Sequence, residues 1–357
     1  MDNGSSSKGL TVNFVFVVSM AICASIGIWG IVDPDSMTAT MLGFTNYMLT
    51  GVSWAWLAIC TMFLFLSAYL AFGPYGKIRL GADDEEPEFS TVSWIAMLFA
   101  GGMGSGLLLW GPAEPMYHFV SPPGMEGETM AAARQALVIT NLHWGFHAWS
   151  IYAVCALVIA YFTFRKNQPS MISTPIKAVF SGNLGEGMGK TADILAVLSV
   201  VFGLAGSLAM GTLAVRSGSF YAFGTGQTVN VSLVILGILF VCYMLSATTG
   251  VDKGIKILSN VNMIIAIGIM LLVLFAGPTR FLFEVFVDSV GNYFAGLITM
   301  SFRLFPFEDL GGWSAGWTLT YLIWWIAWGP FIGIFVARIS KGRTIKQFCF
   351  CVLLVPT

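Results

Sequence analysis

Long apolar runs separated by short polar segments dominate this chain. Eight of these runs reach membrane-spanning length, and a ninth begins near Ile345. A helix needs about 20 predominantly apolar residues to cross a bilayer, and backbone groups in hydrocarbon must hydrogen-bond within their own segment. We therefore predict transmembrane α-helices at residues 12–32, 51–72, 93–115, 138–164, 193–217, 228–249, 255–276 and 315–339.

Composition agrees with this pattern. The 357 residues are 57% hydrophobic and only 10% charged, whereas about 25% of the residues in a soluble domain are charged. The predicted class is an all-α polytopic membrane protein whose partner is the lipid bilayer. The net charge of −1 gives no indication of nucleic-acid binding. The six cysteines lie in apolar stretches without a C-x-x-C pair, which is typical of small buried hydrophobic residues.

The distribution of basic residues predicts the orientation. With the N-terminus in the cytoplasm, 13 of the 17 Lys and Arg fall on the inner side, as the positive-inside rule requires. Residues 1–11 are then a short cytoplasmic tail, and the acidic run at residues 83–86 lies in a cytoplasmic loop. This run is either a solvated loop or a docking or regulatory contact. Residues 281–305 are partly amphipathic, and we predict an interfacial helix there on the outer face.

The third span contains a glycine-rich interruption. Four of the six residues at positions 101–106 are glycine, and each costs a helix interior about 1 kcal/mol relative to alanine. Two interpretations remain open, namely close helix packing through small residues or a discontinuous helix that exposes backbone groups to an ion and a substrate. Glu114 follows at the outer end of the span. Two interpretations of Glu114 remain open. It is a functional candidate because it is ionisable at membrane depth. Alternatively, it has a structural role in the turn before Pro115.

Aromatic residues are concentrated in two of the spans. Their indole N–H and phenol O–H groups need partners at membrane depth, and ring faces that converge in a dry site form a cage for a quaternary ammonium. The candidates are Trp144, Trp149 and Tyr152 in the fourth span, and Trp324, Trp325 and Trp328 in the eighth. On a continuous helix, the three residues of the fourth span fall within an arc of about 140° around the helix axis.

Four segments together resemble a known family. They are Gly102-Met103-Gly104-Ser105-Gly106 with residues 110–115, the His143-Trp144 segment through Tyr152, residues 246–263, and residues 324–333 continuing to Arg343. These segments resemble signature segments of the betaine/choline/carnitine transporter family, and above all its glycine betaine carriers. The similarity covers essentially the whole chain in the same order.

The resemblance implies a twelve-helix protein with the leucine-transporter-type inverted-repeat fold. Two accessory helices (residues 12–92) would precede a first five-helix repeat (93–276), an outer interfacial region (277–314) and the start of a second repeat (315–357). About 8–9 of the 12 helices would be present, so we expect a C-terminally truncated chain that does not transport by itself. The family further implies a bacterial-type inner (plasma) membrane location. A homotrimer is compatible with it, although no periodicity in the sequence demonstrates one.

The resemblance also assigns a binding site. It implies an aromatic cage of Trp144, Trp149, Tyr152 and Trp325, with Trp324 and Trp328 flanking the cage or lining the pathway. The broken helix would contribute Gly104, Ser105 and Gly106, and a sodium ion would be held by the backbone carbonyls of Ala100 and Met103. Choline carriers of the family tend to carry Asp at the position of Gly106. Gly106 therefore favours a zwitterion that brings its own carboxylate.

The expected function is import of a quaternary-ammonium or sulfonium zwitterion, such as glycine betaine, for osmoprotection. The expected mechanism is sodium symport by alternating access, with sodium as the coupling ion, no other cofactor and no enzymatic activity. Three alternatives remain. They are a sodium-independent exchanger of the carnitine type, an osmosensor without transport, and an intramembrane metalloenzyme that uses Glu114 with the i, i+4 pair His143 and His147.

Overall fold

The computed structural model describes residues 13–102, 104–248 and 256–357. The described residues form helices, and their one β-type pairing is an isolated bridge between Arg79 and Thr344. The helices are α1 (Phe14–Val32), α2 (Pro34–Gly51), α3 (Ser53–Phe72), α4 (Thr91–Gly102), α5 (Ser105–Val120), α6 (Met130–Trp144), α7 (Phe146–Ala160), α8 (Ser173–Val179), α9 (Gly182–Phe223), α10 (Val229–Thr248), α11 (Lys256–Ala276), α12 (Thr279–Met300), α13 (Gly311–Ser314), α14 (Thr320–Ile339) and α15 (Ile345–Leu354).

Each of the eight predicted spans overlaps a helix of this structure. Among the described residues, seven helices are long and apolar enough to cross a membrane, or eight if the bent pair α4 and α5 counts as one span. Val229–Leu245 and Ile345–Leu354 are shorter apolar helices. The prediction of an all-helical polytopic membrane protein is confirmed. The inverted repeats and the total of twelve helices remain predictions.

Helix α7 lies at the centre of the fold. It packs against α3, α14 and α15, and every residue from 147 to 153 is buried. This helix is hydrophobic on all sides, as is expected of a helix surrounded by others. By contrast, α1, α9, α10 and α11 expose most of their apolar side chains, which is typical of helices that face lipid.

Two helices differ from the sequence-based prediction. Helix α2 occupies a segment between the first two predicted spans. Two residues favour a helix start here. The Asp33 carboxylate accepts a hydrogen bond from Ser36 N at 3.0 Å, and Pro34 lies in the first turn. Helix α12 covers most of the predicted interfacial segment and is itself long and apolar enough to span a membrane. Its interfacial position therefore remains a prediction.

The glycine-rich third span is broken. Helix α4 ends at Gly102, α5 begins at Ser105, and the two axes differ by 66°. Close packing also occurs here, because a Cβ atom on Gly101 would lie 2.6 Å from the ring of Phe335 in α14. The span is therefore both discontinuous and closely packed, and the exposure of its backbone groups to an ion and a substrate remains a prediction.

A second, shorter interruption was not predicted. Gly145 separates α6 from α7, and the Phe146 N–H donates to the Tyr293 hydroxyl of α12 at 3.1 Å. A Cβ atom on residue 145 would lie 2.4 Å from the Asn141 carbonyl oxygen. Glycine avoids this steric clash because it has no Cβ atom. The span predicted at 138–164 thus contains a one-residue break that the sequence did not predict, although Met130–Arg165 still counts as one helix of membrane-spanning length. The 140° arc for Trp144, Trp149 and Tyr152 therefore does not apply.

The loop after α3 pairs with the loop before α15. Leu80 N donates to the Arg343 carbonyl at 2.9 Å, Gly342 N donates to the Leu80 carbonyl at 2.8 Å, and Ile345 N donates to the Ile78 carbonyl at 2.9 Å. The Arg343 guanidinium lies 4.4 Å from the ring of Trp94 at the start of α4. These contacts fix α4, and thus the first half of the broken span, against the end of α14.

Ion pairs strengthen the same junction. Glu88 and Arg338 form a two-pronged pair with distances of 2.6 and 2.8 Å, and Glu85 lies 2.7 Å from Lys341. Asp83, in the acidic run, pairs with Arg165 at 2.7 Å. The acidic loop is thus solvent-exposed and also engaged with basic residues of neighbouring segments.

Candidate functional site

A cavity lies where the break between α4 and α5 faces α6, α7, α9 and α14. Aromatic rings and glycines form most of its wall. The lining residues are Gly101, Gly104, Gly106, Leu107, Trp144, Tyr152, Ser207, Trp324, Trp325, Trp328 and Ile332.

The size of the cavity fits a small solute. Its volume is about 80 Å³, and one water molecule needs roughly 10–15 Å³ on this scale. The space therefore accommodates a compact molecule of several heavy atoms. A drug-sized ligand would require a much larger pocket.

Trp325 is the hub of the aromatic cluster. Its ring centroid lies 5.4 Å from Trp144 with the planes at 88°, and 5.1 Å from Tyr152 at 71°. Trp324 is packed edge-on against Trp144 at 6.2 Å. Rings in edge-to-face contact hold one another in fixed orientations. The faces presented to the cavity are therefore preset before any ligand enters.

The structure separates Trp149 from the other candidates. Trp149 is completely buried, lies 6.4 Å from Trp325 and 5.7 Å from Tyr152, and is not part of the cavity wall. Its indole N–H has no hydrogen-bond partner among the described residues. Trp149 supports the wall from behind, whereas Trp324 and Trp328 line the cavity directly.

Two of the cage indoles are anchored by hydrogen bonds from their N–H groups. Trp325 Nε1 donates to the backbone carbonyl of His143 at 2.8 Å, and Trp144 Nε1 donates to Glu114 Oε2 at 2.6 Å. Both bonds lie in the interior, where an unpaired N–H would be costly. They restrict the two rings to single orientations.

Glu114 lies in a fully buried polar cluster next to the cage. Its Oε1 atom lies 2.5 Å from His143 Nδ1 and 3.2 Å from His118 Nε2, and His143 Nε2 lies 3.0 Å from Thr318 Oγ1. The sequence signal for Glu114 was its position at membrane depth. Thr318 carried no comparable signal, because its partner His143 lies 175 positions away in the chain. His118 was not singled out, although it lies one helical turn from Glu114.

The alternative with a His143–His147 metal pair is not supported by this geometry. Within the described part of the chain, the side chains that lie within metal-ligating reach of one another are Glu114, His118 and His143, and both histidines are hydrogen-bonded to Glu114. His147 is buried elsewhere, with neither ring nitrogen bonded to a described residue.

Glycine allows the close approach of two cage indoles. A Cβ atom on Gly106 would lie 2.9 Å from Trp324 Cη2, and one on Gly203 in α9 would lie 3.2 Å from Trp328 Cε2. Each indole therefore rests on a helix backbone. The sequence indicated Gly106 as a site residue, whereas the role of Gly203 depends on a contact between α9 and α14.

The remaining predicted positions surround the break. Gly104 lines the cavity, and Ser105 begins α5, although its side chain is outside the described residues. Ala100 lies in the last turns of α4, whereas Met103 is outside the described residues. The sodium site at Ala100 and Met103 remains a prediction.

Comparison with known families bears on this site. The family model of betaine/carnitine/choline family transporters matches residues 14–357. The chain belongs to this family. It is accordingly a transporter and not an enzyme, which confirms the expectation drawn from the four resembling segments.

Individual relatives agree with this assignment. The chain is 42% identical to the glycine betaine transporter OpuD of Bacillus subtilis over 97% of its own length and 68% of the relative. It is 37% identical to a glycine betaine transporter of Acinetobacter baylyi, over its whole length and 54% of the relative. The osmo-dependent choline transporter BetT2 of the same organism is 34% identical over 96% of the chain and 50% of the relative. The chain thus spans about half to two thirds of the length of these relatives.

These relatives also support the cellular location. They are bacterial transporters, and the described residues contain at least seven helices that could cross a membrane. The protein is therefore a multi-pass plasma membrane protein. The cytoplasmic location of its N-terminus remains a prediction from the distribution of basic residues.

Proposed function

We propose that the aromatic cavity binds a quaternary-ammonium or sulfonium zwitterion of the glycine betaine type, and that the carrier imports it. The observation that carries this proposal is the convergence of Trp144, Tyr152 and Trp325 with Trp324 and Trp328 on one small cavity. The names of the relatives are compatible with it, since two are glycine betaine transporters.

The chemistry of the ligand explains the choice of ring faces. A trimethylammonium group has no N–H to donate, so ordinary hydrogen-bond acceptors offer it little. A ring face attracts a cation by ~0.5–2 kcal/mol, with the larger values in desolvated sites. Three or four rings around one headgroup would together offset the loss of its hydration.

The broken helix provides a complementary subsite for the carboxylate. Helix α5 begins beside the cavity at Ser105, and its preceding residue Gly104 supplies no side-chain cap. The N-terminus of a helix carries a partial positive charge and unsatisfied N–H groups, which favour anions. A zwitterion would place its cation among the indoles and its carboxylate at this helix end. This arrangement favours betaine over choline.

Uphill import needs an energy source, and we propose sodium symport by alternating access. One cation that crosses 100 mV releases ~2.3 kcal/mol, which corresponds to about 50-fold accumulation at ~1.4 kcal/mol per tenfold. A sodium concentration gradient would add to this. A broken helix near the midplane is the element at which transporters of this general type place both ion and substrate.

The test is radiolabelled uptake with and without sodium. Because the chain spans 68% of the length of OpuD, uptake is measured for the chain itself and for the chain joined to the unmatched part of that relative. Glycine betaine, choline, carnitine and dimethylsulfoniopropionate are compared. We expect sodium-dependent uptake of betaine by the joined protein. Uptake that is independent of sodium but requires a substrate on the opposite side of the membrane would instead show a carnitine-type exchanger. Absence of both binding and uptake for every onium solute would contradict the proposed substrate class.

A further inference from the structure

Glu114 is a completely buried carboxylate that receives three N–H groups. Trp144 Nε1 lies 2.6 Å from Oε2, and His143 Nδ1 and His118 Nε2 lie 2.5 and 3.2 Å from Oε1. These three groups come from α5 and α6, and the Tyr321 side chain of α14 also interacts with the carboxylate. A buried ionised group is tolerated only when it is well hydrogen-bonded, and this carboxylate meets that condition.

The hydrogen-bond pattern gives an assignment of the protons. An ionised carboxylate only accepts, so His143 Nδ1 and His118 Nε2, which face Glu114, each carry a proton. A neutral His143 then accepts from the Thr318 hydroxyl, 3.0 Å from its Nε2. In this arrangement both imidazoles are neutral and the carboxylate is ionised, an assignment made from the hydrogen-bond pattern.

One negative charge therefore remains beside the cage. Among the described residues the ion-pair partners of Glu114 are the two histidines alone, and neutral histidines do not cancel its charge. Charges act strongly in a low-dielectric interior. A charge at this position lowers the energy of a cation in the adjacent cavity.

The same carboxylate also positions two walls of the cavity. It holds the Trp144 indole directly, and it holds His143, whose backbone carbonyl accepts the Trp325 N–H at 2.8 Å. Donation of the indole N–H to an anion polarises the hydrogen-bonded group. The Trp144 face then becomes more negative where it meets the cavity.

We propose that Glu114 is the buried counter-anion of the cage and the positioning residue of Trp144. The proposal rests on the proposed function, since it assigns the source of negative potential for an onium headgroup. The carboxylate does not touch the ligand. It acts through the indole and through its electric field, so it favours a cationic headgroup over a neutral one of the same shape.

The experiment compares Glu114→Gln with the unchanged protein by equilibrium binding in lipid nanodiscs. Two probes are used, glycine betaine and 3,3-dimethylbutanoate, in which carbon replaces the quaternary nitrogen. We expect Glu114→Gln to weaken betaine binding at least tenfold and to change dimethylbutanoate binding less than threefold. A purely structural role would weaken both probes equally, and that result would overturn the proposal.

Three further measurements accompany this comparison. The Trp144→Phe variant lacks the indole N–H. In this variant, Glu114→Gln should reduce betaine affinity by a clearly smaller factor than it does in the unchanged protein. If the two substitutions reduced affinity independently of each other, Glu114 would not act through Trp144. Glu308→Gln, a half-exposed glutamate paired with Arg303, is the matched control and should bind both probes normally. Zinc that binds stoichiometrically and competes with betaine would show that Glu114, His118 and His143 form a metal site instead.

Failure of the proposed function is recognised separately. If the unchanged protein shows no saturable binding of any onium probe, the substrate class is wrong and the variants are irrelevant. If it binds betaine and Glu114→Gln binds betaine equally well, only the role of Glu114 is wrong.

Discussion

The Trp324 indole rests directly on the backbone of Gly106. A Cβ atom on residue 106 would lie 2.9 Å from Trp324 Cη2 and 3.7 Å from Trp144 Cη2. The first distance is shorter than ordinary van der Waals contact, so any larger residue must displace an indole. Gly106 thus sets how far the rings of α6 and α14 can enter the cavity.

Gly106→Ala should therefore weaken onium binding, because the added methyl group pushes Trp324 off the helix and changes the shape of the cavity. We expect a loss of about 3–30-fold, which corresponds to about 0.7–2 kcal/mol. The measurement is betaine affinity by equilibrium binding. Gly111→Ala is the matched control, since it lies in the same helix outside the cavity wall and a Cβ there would meet only Leu107 at an ordinary contact distance of 3.6 Å. Equal effects of the two substitutions would refute the steric explanation.

Trp325 and Trp149 should differ in the kind of defect they cause. Trp325→Leu removes a cavity-lining ring and should lower betaine affinity by ~0.5–2 kcal/mol, or about 2–30-fold. Trp149→Leu removes a completely buried ring behind the wall and should mainly lower stability, by up to ~3–5 kcal/mol. Affinity and thermal unfolding are measured for both variants. A Trp149 variant that keeps its stability but loses all binding would show that this ring faces the ligand.

The hydroxyl of Tyr293 should stabilise the interruption at Gly145. Tyr293→Phe keeps the ring stacked on Phe146, 5.7 Å away, but leaves the Phe146 N–H without its acceptor. An unsatisfied buried N–H costs ~1–3 kcal/mol, which should appear as a lower unfolding temperature. Tyr221→Phe, at a position that is 85% exposed, is the control. An unchanged unfolding temperature for Tyr293→Phe would mean that the break needs no support from α12.

The Glu88–Arg338 pair should make a small, pH-dependent contribution to stability. Hydrogen bonds from Arg338 lower the pKa of the Glu88 carboxyl below its ordinary value of 4.5. The unfolded chain therefore binds the proton more readily, so the stabilisation is complete above pH 4.5 and is lost as the pH falls through the lower pKa of the folded state. Because both side chains are about one-third exposed or more, we expect at most ~1 kcal/mol.

Thermal unfolding of Glu88→Gln measures this contribution. The difference from the unchanged protein should be present at pH 7, shrink below pH 4.5 and weaken in high salt. Glu86→Gln is the control, because the Glu86 carboxylate makes no ion pair among the described residues. A Glu88 effect that is constant from pH 7 to pH 3 would contradict the pairing.

The sequence predicted the features that depend on composition over many residues. Apolar length placed every predicted span on a helix, and the glycine content at 101–106 identified the broken span as one of two open possibilities. The resemblance, in turn, named aromatic residues that line one cavity. These signals are strong because each is repeated over a helix turn or more.

The features that were missed depend on single contacts between distant segments. The break at Gly145 is one residue long, and the hydrogen-bond acceptor for the Phe146 N–H is the Tyr293 hydroxyl, 147 positions away. The cluster around Glu114 needs Thr318 to set the tautomer of His143. The place of Trp149 behind the wall follows from packing against Trp325. None of these contacts leaves a local pattern in the chain.

The most direct test of the account is the affinity of the unchanged protein for glycine betaine relative to 3,3-dimethylbutanoate. The two molecules share shape and carboxylate and differ only in the positive charge of the headgroup. If indole faces recognise an onium cation, betaine should bind at least tenfold more tightly at the same pH and salt concentration. Equal affinities would show that the cavity recognises shape alone, and the cation-binding cage would have to be abandoned.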